Sequence, residues 1–217
     1  LFDLDGTLID TAADFIRIIG RMSEANGWQA PSSEAIREQV SAGAGAMVSL
    51  MLKHNSQPLT EEQVQQYRQQ FLDEYEAEIC VDSRVFPELE SLLDYYDKKG
   101  TPWGIVTNKP RYLSTKLLEC LNLAERCSVL VCPDDVSNTK PDPEPMYLAL
   151  EKLELPRGVA NSVIYVGDHI RDIQAGAAAG MTNVLASYGY IPPEDQDDLE
   201  AWGADYIAET PKALVKL

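Results

Sequence analysis

The 217-residue chain has few positive charges and no long hydrophobic run. It carries 18 lysine and arginine residues against 35 aspartate and glutamate residues, which gives a formal net charge of −17. This negative charge disfavours binding to the backbone of a nucleic acid, and a phosphorylated ligand would need local cations or a metal. No apolar run approaches the roughly 18 residues that a membrane span needs, so we expect no membrane partner.

Cysteine is also scarce, and its spacing indicates no disulfide framework or metal motif. The four cysteines are Cys80, Cys120, Cys127 and Cys132, and they show neither CxxC nor Cys/His ligand spacing. A chain of this length can bury enough apolar surface without disulfide bonds. We therefore expect a reducing, cytoplasmic location.

The first residues contain two aspartates at strand spacing. Asp3 and Asp5 share a face if the chain is extended there, and Gly6 then permits a turn. On these residues alone, a solvated strand end with an Asp-Gly turn is the alternative interpretation. The apolar run before Asp3 is short for a buried strand, so we expect a clipped first strand, with residues missing before Leu1.

The pattern of apolar residues changes along the chain and predicts two domains. Residues 11–85 show helical spacing and no convincing strand, which predicts an all-helical inserted domain. After residue 85, short apolar runs alternate with helical patterns. The predicted helices are 87–99, 112–121, 143–153 and 170–179, and the predicted strands are 103–107, 129–132, 163–166, 182–186 and 205–208.

This alternation predicts an α/β fold, with a Rossmann-like parallel sheet covered by helices on both faces. The expected α/β core comprises residues 1–10 and 86–217, and the small helical domain of residues 11–85 is inserted after the first strand.

Polar residues follow several of the predicted strands, where ligands bind in open α/β sheets. Thr107 and Asn108 follow one strand, and Asp168 and Asp172 follow another. Lys140 precedes a proline-rich helix start. We expect these groups to meet Asp3 and Asp5 in one site.

Such a site suits phosphoryl transfer. Facing carboxylates repel one another unless a cation lies between them, and Mg²⁺ prefers oxygen ligands of this kind. Thr107, Asn108, Lys140 and the backbone N–H of Gly6 are the candidate phosphate donors. Asp3 is the candidate nucleophile. Asp5 is the candidate acid and base, since it lies two residues away.

The motifs resemble those of the haloacid dehalogenase-like (HAD) hydrolase superfamily. The pattern DxDGTLxDT matches residues 3–11, and the family's threonine, lysine and GDxxxD motifs match Thr107, Lys140 and residues 167–172. The resemblance implies that Asp3 is the nucleophile and Asp5 the acid/base residue. It also implies that Asp3, the backbone carbonyl of Asp5 and Asp168 bind Mg²⁺, while Asp172 supports the ion or Lys140.

Within the superfamily, the helical insertion of residues 11–85 resembles the cap domain of the phosphoglycolate phosphatase-like group. The resemblance implies that residues 1–10 and 86–217 form the catalytic core. Residues 133–136, 140–146, 188–191 and 202–205 are similar to segments of bacterial phosphatases that act on 2-phosphoglycolate or N-acetylmuramic acid 6-phosphate. The resemblance implies hydrolysis of a small phosphomonoester through an aspartyl-phosphate. We expect a monomer or homodimer. A phosphomutase and a catalytically silent member of the fold remain as alternatives.

Three further features of the sequence each allow two interpretations. Residues 41–46 form either a substrate-specificity loop or a plain turn between helices, and the absence of a basic residue there favours a neutral sugar over a small dianion. His169 is more typical of a hydrogen-bonding neighbour of the site than of a ligand. Lys109 and Arg111 could contact phosphate, although a charged helix start is the commoner arrangement.

Overall fold

A computed structural model describes residues 1–216, including the backbone but not the side chain of Glu194. Leu217, at the end of the predicted core, lies outside the described residues. The chain divides into two compact units, one of Leu1–Asp10 with Arg84–Leu217 and the other of Thr11–Ser83. Within the described part, no helix is both long and apolar enough to cross a membrane.

The first unit contains a parallel sheet whose centre is the start of the chain. The named strands are β1 (Ile9–Asp10), β2 (Arg84–Val85), β3 (Gly104–Val106), β4 (Val129–Val131), β5 (Ile164–Gly167), β6 (Thr182–Ala186) and β7 (Tyr206–Ala208). Phe2 forms parallel bridges to Ile105 on one side and to Val166 on the other. The parallel order is therefore β4, β3, the Phe2 segment, β5, β6 and β7. The predicted first strand is reduced to this bridge.

Helices follow the strands as the sequence pattern predicts, so the α/β fold is confirmed. The helices of this unit are α5 (Leu89–Lys99), α6 (Arg111–Cys120), α7 (Glu144–Lys152), α8 (Ile170–Ala179) and α9 (Pro211–Leu214). Each strand and helix predicted after residue 85 is present, with ends shifted by at most two residues. Val106, Val131, Met146, Leu150 and Tyr165 are buried together between the sheet and α7 and α8.

Short elements without strong periodicity were not predicted. These are β1, β2, α9 and the 3₁₀ helices Pro133–Asp135, Arg157–Ser162 and Pro193–Trp202. Strands β1 and β2 pair antiparallel, with Ile9 opposite Val85 and Asp10 opposite Arg84. This pairing places Arg84 and Val85 in the first unit, whereas the sequence pattern assigned them to the helical insertion.

The second unit is a set of four helices around an aromatic core. Its helices are α1 (Ala12–Ala25), α2 (Ser33–Arg37), α3 (Ala44–His54) and α4 (Glu61–Ala77). Ser32 and Thr60 cap α2 and α4 by accepting bonds from the backbone N–H groups of Ala35 and Gln63. Phe15 of α1 packs against Phe71 and Tyr75 of α4, with ring centroids 5.5 and 4.7 Å apart.

The predicted loop of residues 41–46 is only partly a loop. Ser41 and Ala42 lie in a turn, Gly43 is the N-cap of α3 with a φ of 95°, and the three residues after it form the first turn of α3. Gly43 adopts a backbone conformation that favours glycine, which explains how the helix can start there. Alanine suits the helix that follows.

A buried carboxylate connects the first helix of this unit to its last residues. Asp14 is fully buried, and its oxygens accept bonds from the Asp82 N–H, the Ser83 N–H and the Ser83 hydroxyl at 3.0, 3.0 and 2.6 Å. Arg17 donates to the same carboxylate at 2.5 Å. Burial on its own would raise the pKa of Asp14, but the bonds from Ser83, Arg17 and the backbone outweigh burial and lower it.

We expect Asp14→Asn to destabilise the protein by about 3 kcal/mol at pH 7, because an amide nitrogen would then face N–H donors. A lowered folded-state pKa stabilises the fold above the unfolded pKa of about 3.9, and this stabilisation is lost as the pH falls through the folded value. Urea unfolding at pH 7 and at successively lower pH measures both effects. The gap between wild type and variant should narrow below about pH 4.

Asp73→Asn on the exposed surface of α4 is the matched control, with an expected change within about 0.5 kcal/mol. Equal losses in the two variants would contradict the role assigned to Asp14.

Candidate active site

The site of the first unit lies where the central Phe2 segment leaves the sheet. Asp3 follows Phe2, and its N–H donates to the Val166 carbonyl at 2.8 Å. The next residues form a tight turn in which the Leu8 and Ile9 N–H groups donate to the Leu4 carbonyl. Asp3 is thus held by the sheet on one side and by the turn on the other, and it is 8% exposed.

The turn brings Gly6 against Asp168, which follows β5. Gly6 has a φ of 82°, and a Cβ atom there would lie 2.1 Å from Asp168 Oδ2. Gly189 approaches from the other side, where a Cβ would lie 2.4 Å from the Asp168 Cβ. The Thr7 hydroxyl donates to Asp168 Oδ1 at 3.1 Å, and the Tyr190 N–H donates to Oδ2 at 2.9 Å. Asp168 is therefore buried and fixed in position.

A buried lysine connects Asp3 to Asp172. Lys140 Nζ lies 2.8 Å from Asp3 Oδ1 and 2.6 Å from Asp172 Oδ1. It also lies 3.0 Å from the Val106 carbonyl and 3.0 Å from the Tyr165 hydroxyl. Burial alone would lower the pKa of Lys140, but the carboxylates of Asp172 and Asp3 more than compensate and raise it. Lys140 is thus held as an ammonium ion between two carboxylates.

Asp172 contacts the same lysine. Its Oδ1 also lies 3.2 Å from the Tyr165 hydroxyl, and its Oδ2 accepts a bond from the His169 N–H at 3.0 Å. The sequence left open whether Asp172 supports an ion or Lys140, and the structure shows the contact with Lys140.

The other aspartate of the first motif has its own lysine. Lys109 Nζ lies 3.0 and 3.3 Å from the two carboxylate oxygens of Asp5. Lys109 is 8% exposed and precedes α6. The expectation of a charged helix start for Lys109 was therefore wrong, because the side chain is buried against Asp5. Arg111, the first residue of α6, instead pairs with Asp135.

The predicted phosphate donors differ in what they already contact. Thr107 is buried, and its hydroxyl oxygen accepts a bond from the Lys109 N–H at 3.1 Å, so its own proton can point elsewhere. Asn108 Nδ2 donates to the Lys140 carbonyl at 3.1 Å. The Gly6 N–H, the fourth predicted donor, donates to the Ile9 carbonyl at 3.0 Å and closes the turn.

His169 lies beside the site, next to the carboxylate cluster in sequence. Its Nδ1 accepts a bond from the Arg171 N–H at 3.2 Å and caps α8. Burial lowers the pKa of His169 to about 4, with Arg171 contributing in the same direction. A neutral ring with one nitrogen in use matches the hydrogen-bonding role expected from the sequence.

The donor set fits a divalent cation. Asp3, Asp168 and Asp172 offer carboxylate oxygens that all lie within 4.8 Å of one another. Burial raises the pKa of Asp3, Lys140 opposes this rise, and Asp172 adds to it. With Asp5 and Lys109 included, four carboxylates face two ammonium groups, which leaves an excess of two negative charges. A hard ion of charge +2 would balance this excess.

Comparisons with known proteins agree with this geometry. Residues 1–186 match the haloacid dehalogenase-like hydrolase family. The chain belongs to this family. The hydrolase is 42% identical over 215 residues to the N-acetylmuramic acid 6-phosphate phosphatase of Pseudomonas aeruginosa, covering 99% of this chain and 92% of that protein. It is 36% identical over 214 residues to the phosphoglycolate phosphatase of Xanthomonas campestris pv. campestris, covering 99% and 93%.

A crystal structure of a predicted phosphoglycolate phosphatase from Haemophilus somnus 129PT has the same fold. It superposes with a TM-score of 0.83 at 25% identity, covering 99% of this hydrolase and 95% of that chain. Because the relatives at 36–42% identity are phosphatases over nearly the whole chain, the hydrolase is a phosphoric monoester hydrolase.

Two contacts of the site were not predicted from the sequence. Tyr165 lies in the middle of an otherwise aliphatic strand, and a tyrosine in that position indicates a buried hydrogen-bond partner. For Lys109, the one sequence feature that could have indicated its contact with the site is its position two residues after the predicted site residue Thr107.

We expect Gly6→Ala to cost about 3 kcal/mol or more of unfolding free energy and to abolish activity, because its Cβ would displace the Asp168 carboxylate. Gly180→Ala is the matched control. Gly180 has a similar φ of 75°, but a Cβ there has no neighbour within 4 Å. Its cost should be about 1 kcal/mol, from backbone strain alone, with activity retained. Urea unfolding and phosphate release measure both variants, and equal effects would contradict the close approach.

Proposed function

We propose that the hydrolase is a Mg²⁺-dependent phosphomonoesterase that transfers the phosphoryl group of a small metabolite to Asp3. The observation that carries this proposal is the contact of Lys140 with both Asp3 and Asp172 beside the buried carboxylate of Asp168. This buried cluster contains the proposed nucleophile Asp3 and one ammonium group, and its three carboxylates leave an excess of two negative charges.

In the first half-reaction, an Asp3 carboxylate oxygen attacks phosphorus and the bond from phosphorus to the leaving oxygen breaks. Asp5 gives a proton to that oxygen, so the alcohol leaves neutral. Lys140 orients Asp3 and offsets the charge of the transferring group, and the Thr107 hydroxyl can donate to a phosphoryl oxygen. In the second half-reaction, Asp5 takes a proton from water, which attacks phosphorus and releases Asp3.

Asp3 and Asp168, with the backbone carbonyl of Asp5, are the residues that we propose to hold the ion. Bound Mg²⁺ would neutralise the charge that develops on the phosphoryl oxygens. Asp168 can accept the ion while keeping its bonds from Thr7 and Tyr190, since each carboxylate oxygen has two acceptor sites. Asp172 instead holds Lys140.

We propose a small phosphorylated metabolite as the binding partner and a cytoplasmic location. The four cysteines form no disulfide among the described residues, which agrees with a reducing compartment. We retain monomer or homodimer as the expected state.

We propose a sugar phosphate, N-acetylmuramic acid 6-phosphate, ahead of 2-phosphoglycolate as substrate. The support is the difference between 42% and 36% identity to relatives with these names. The uncharged segment 41–46 does not separate the two, because N-acetylmuramic acid itself carries a carboxylate.

We expect Asp3→Asn to reduce release of phosphate from 4-nitrophenyl phosphate by a factor on the order of 10⁴ or more, because an amide cannot form the phosphoryl ester. Chelation of divalent ions with EDTA should abolish the wild-type activity, and excess Mg²⁺ should restore it. Undiminished turnover by Asp3→Asn would exclude the aspartyl-phosphate route. Activity that survives EDTA would exclude the metal.

The substrate assignment is tested by comparing kcat/KM for N-acetylmuramic acid 6-phosphate and 2-phosphoglycolate with one enzyme preparation, because specificity is the ratio of these values. We expect the sugar phosphate to be favoured by about tenfold or more, since the enzyme resembles that phosphatase more strongly. A ratio that favours 2-phosphoglycolate would overturn the assignment but not the chemistry.

A further inference from the structure

We infer that Lys109 is a positioning residue of the reaction, which holds the Asp5 carboxylate in place for proton transfer to the leaving group. This inference rests on the proposed function of Asp5. The role of Lys109 is separate from that of Lys140, because Lys109 contacts Asp5 and Lys140 contacts Asp3.

The contact is bidentate and only partly open to solvent. Lys109 Nζ lies 3.0 Å from Asp5 Oδ1 and 3.3 Å from Oδ2, and the lysine side chain is 6% exposed against 16% for that of Asp5. Asp5 is therefore more accessible than the group that holds it. One oxygen can stay bonded to the ammonium group while the other carries the proton.

The backbone of Lys109 is itself fixed on both sides. Its N–H donates to the Thr107 hydroxyl oxygen at 3.1 Å, and the Ser114 hydroxyl of α6 lies 3.3 Å from its carbonyl and 3.1 Å from the Pro110 carbonyl. Ser114 is fully buried. The lysine is thus anchored to the end of β3 and to the helix that follows, so its side chain reaches Asp5 from a rigid base.

The same arrangement connects the two ends of the reacting group. Thr107 is the proposed donor to the phosphoryl oxygens, and Asp5 is the proposed proton donor to the leaving oxygen. Lys109 contacts both residues, one through its backbone and one through its side chain.

A positioning role through Asp5 predicts dependence on the leaving group. An alkyl phosphate, such as N-acetylmuramic acid 6-phosphate or 2-phosphoglycolate, leaves as a strongly basic alkoxide and needs the proton. The 4-nitrophenolate ion leaves without one. Because kcat/KM reports events only up to the first irreversible step, it isolates the transfer to Asp3 from the later attack by water.

We expect Lys109→Met, which keeps most of the aliphatic stem, to lower kcat/KM for the better alkyl substrate by about 10²-fold. For 4-nitrophenyl phosphate the same variant should lose clearly less, because this substrate needs no proton from Asp5. Lys98→Met, on the exposed surface of α5, is the matched control and should change neither value. If Lys109→Met does not fold, as judged by circular dichroism, Lys109→Gln provides the same test, since its shorter neutral side chain cannot span both oxygens.

A double-mutant cycle with Asp5→Asn then identifies the route of the effect. If Lys109 acts through Asp5, the double variant should be no slower on the alkyl phosphate than Asp5→Asn alone. Additive losses, or equal losses with aryl and alkyl phosphates, would overturn the inference and place Lys109 on the phosphoryl group instead. If Asp5→Asn itself leaves the alkyl kcat/KM intact, the proposed function of Asp5 fails, which is a separate outcome.

Discussion

The contact of Lys140 with Asp3 and Asp172 is the interaction on which the catalytic unit depends. One buried nitrogen atom lies within hydrogen-bond distance of the first motif, the end of β3, the middle of β5 and the first turn of α8. A buried ammonium group is costly unless it is paired, so these segments must reach their native places together. The position of the nucleophile Asp3 therefore depends on the packing of the parallel sheet.

Charge explains how an acidic protein can process an anionic substrate. The net charge of −17 repels phosphate esters at long range, yet the site concentrates two lysines among its four carboxylates. The remaining excess of two negative charges equals the charge of one divalent cation. Long-range repulsion and local attraction thus act at different distances, and the local terms dominate inside a buried cluster where screening by water is weak.

Much of the fold and part of the site could be predicted from the sequence, for identifiable reasons. Buried parallel strands are continuous apolar runs, so their positions along the chain could be predicted. Asp3 and Asp168 follow such runs, and Lys140 precedes a helix start. The pairing of Lys109 with Asp5 spans 104 positions and depends on the Phe2 segment lying beside β3, which no local pattern encodes. The small residues of 41–46 are compatible with both turn and helix, so the sequence did not show that α3 begins at Ala44.

The central claim is that the phosphoryl group passes through Asp3 before it reaches water. The configuration of phosphorus tests this claim most directly, through hydrolysis of a phosphorothioate ester that is chiral through its sulfur and two oxygen isotopes, in water labelled with the third isotope. Two successive in-line displacements, first by Asp3 and then by water, predict that the released thiophosphate retains its configuration. Inversion would show a single displacement by water and would contradict the account.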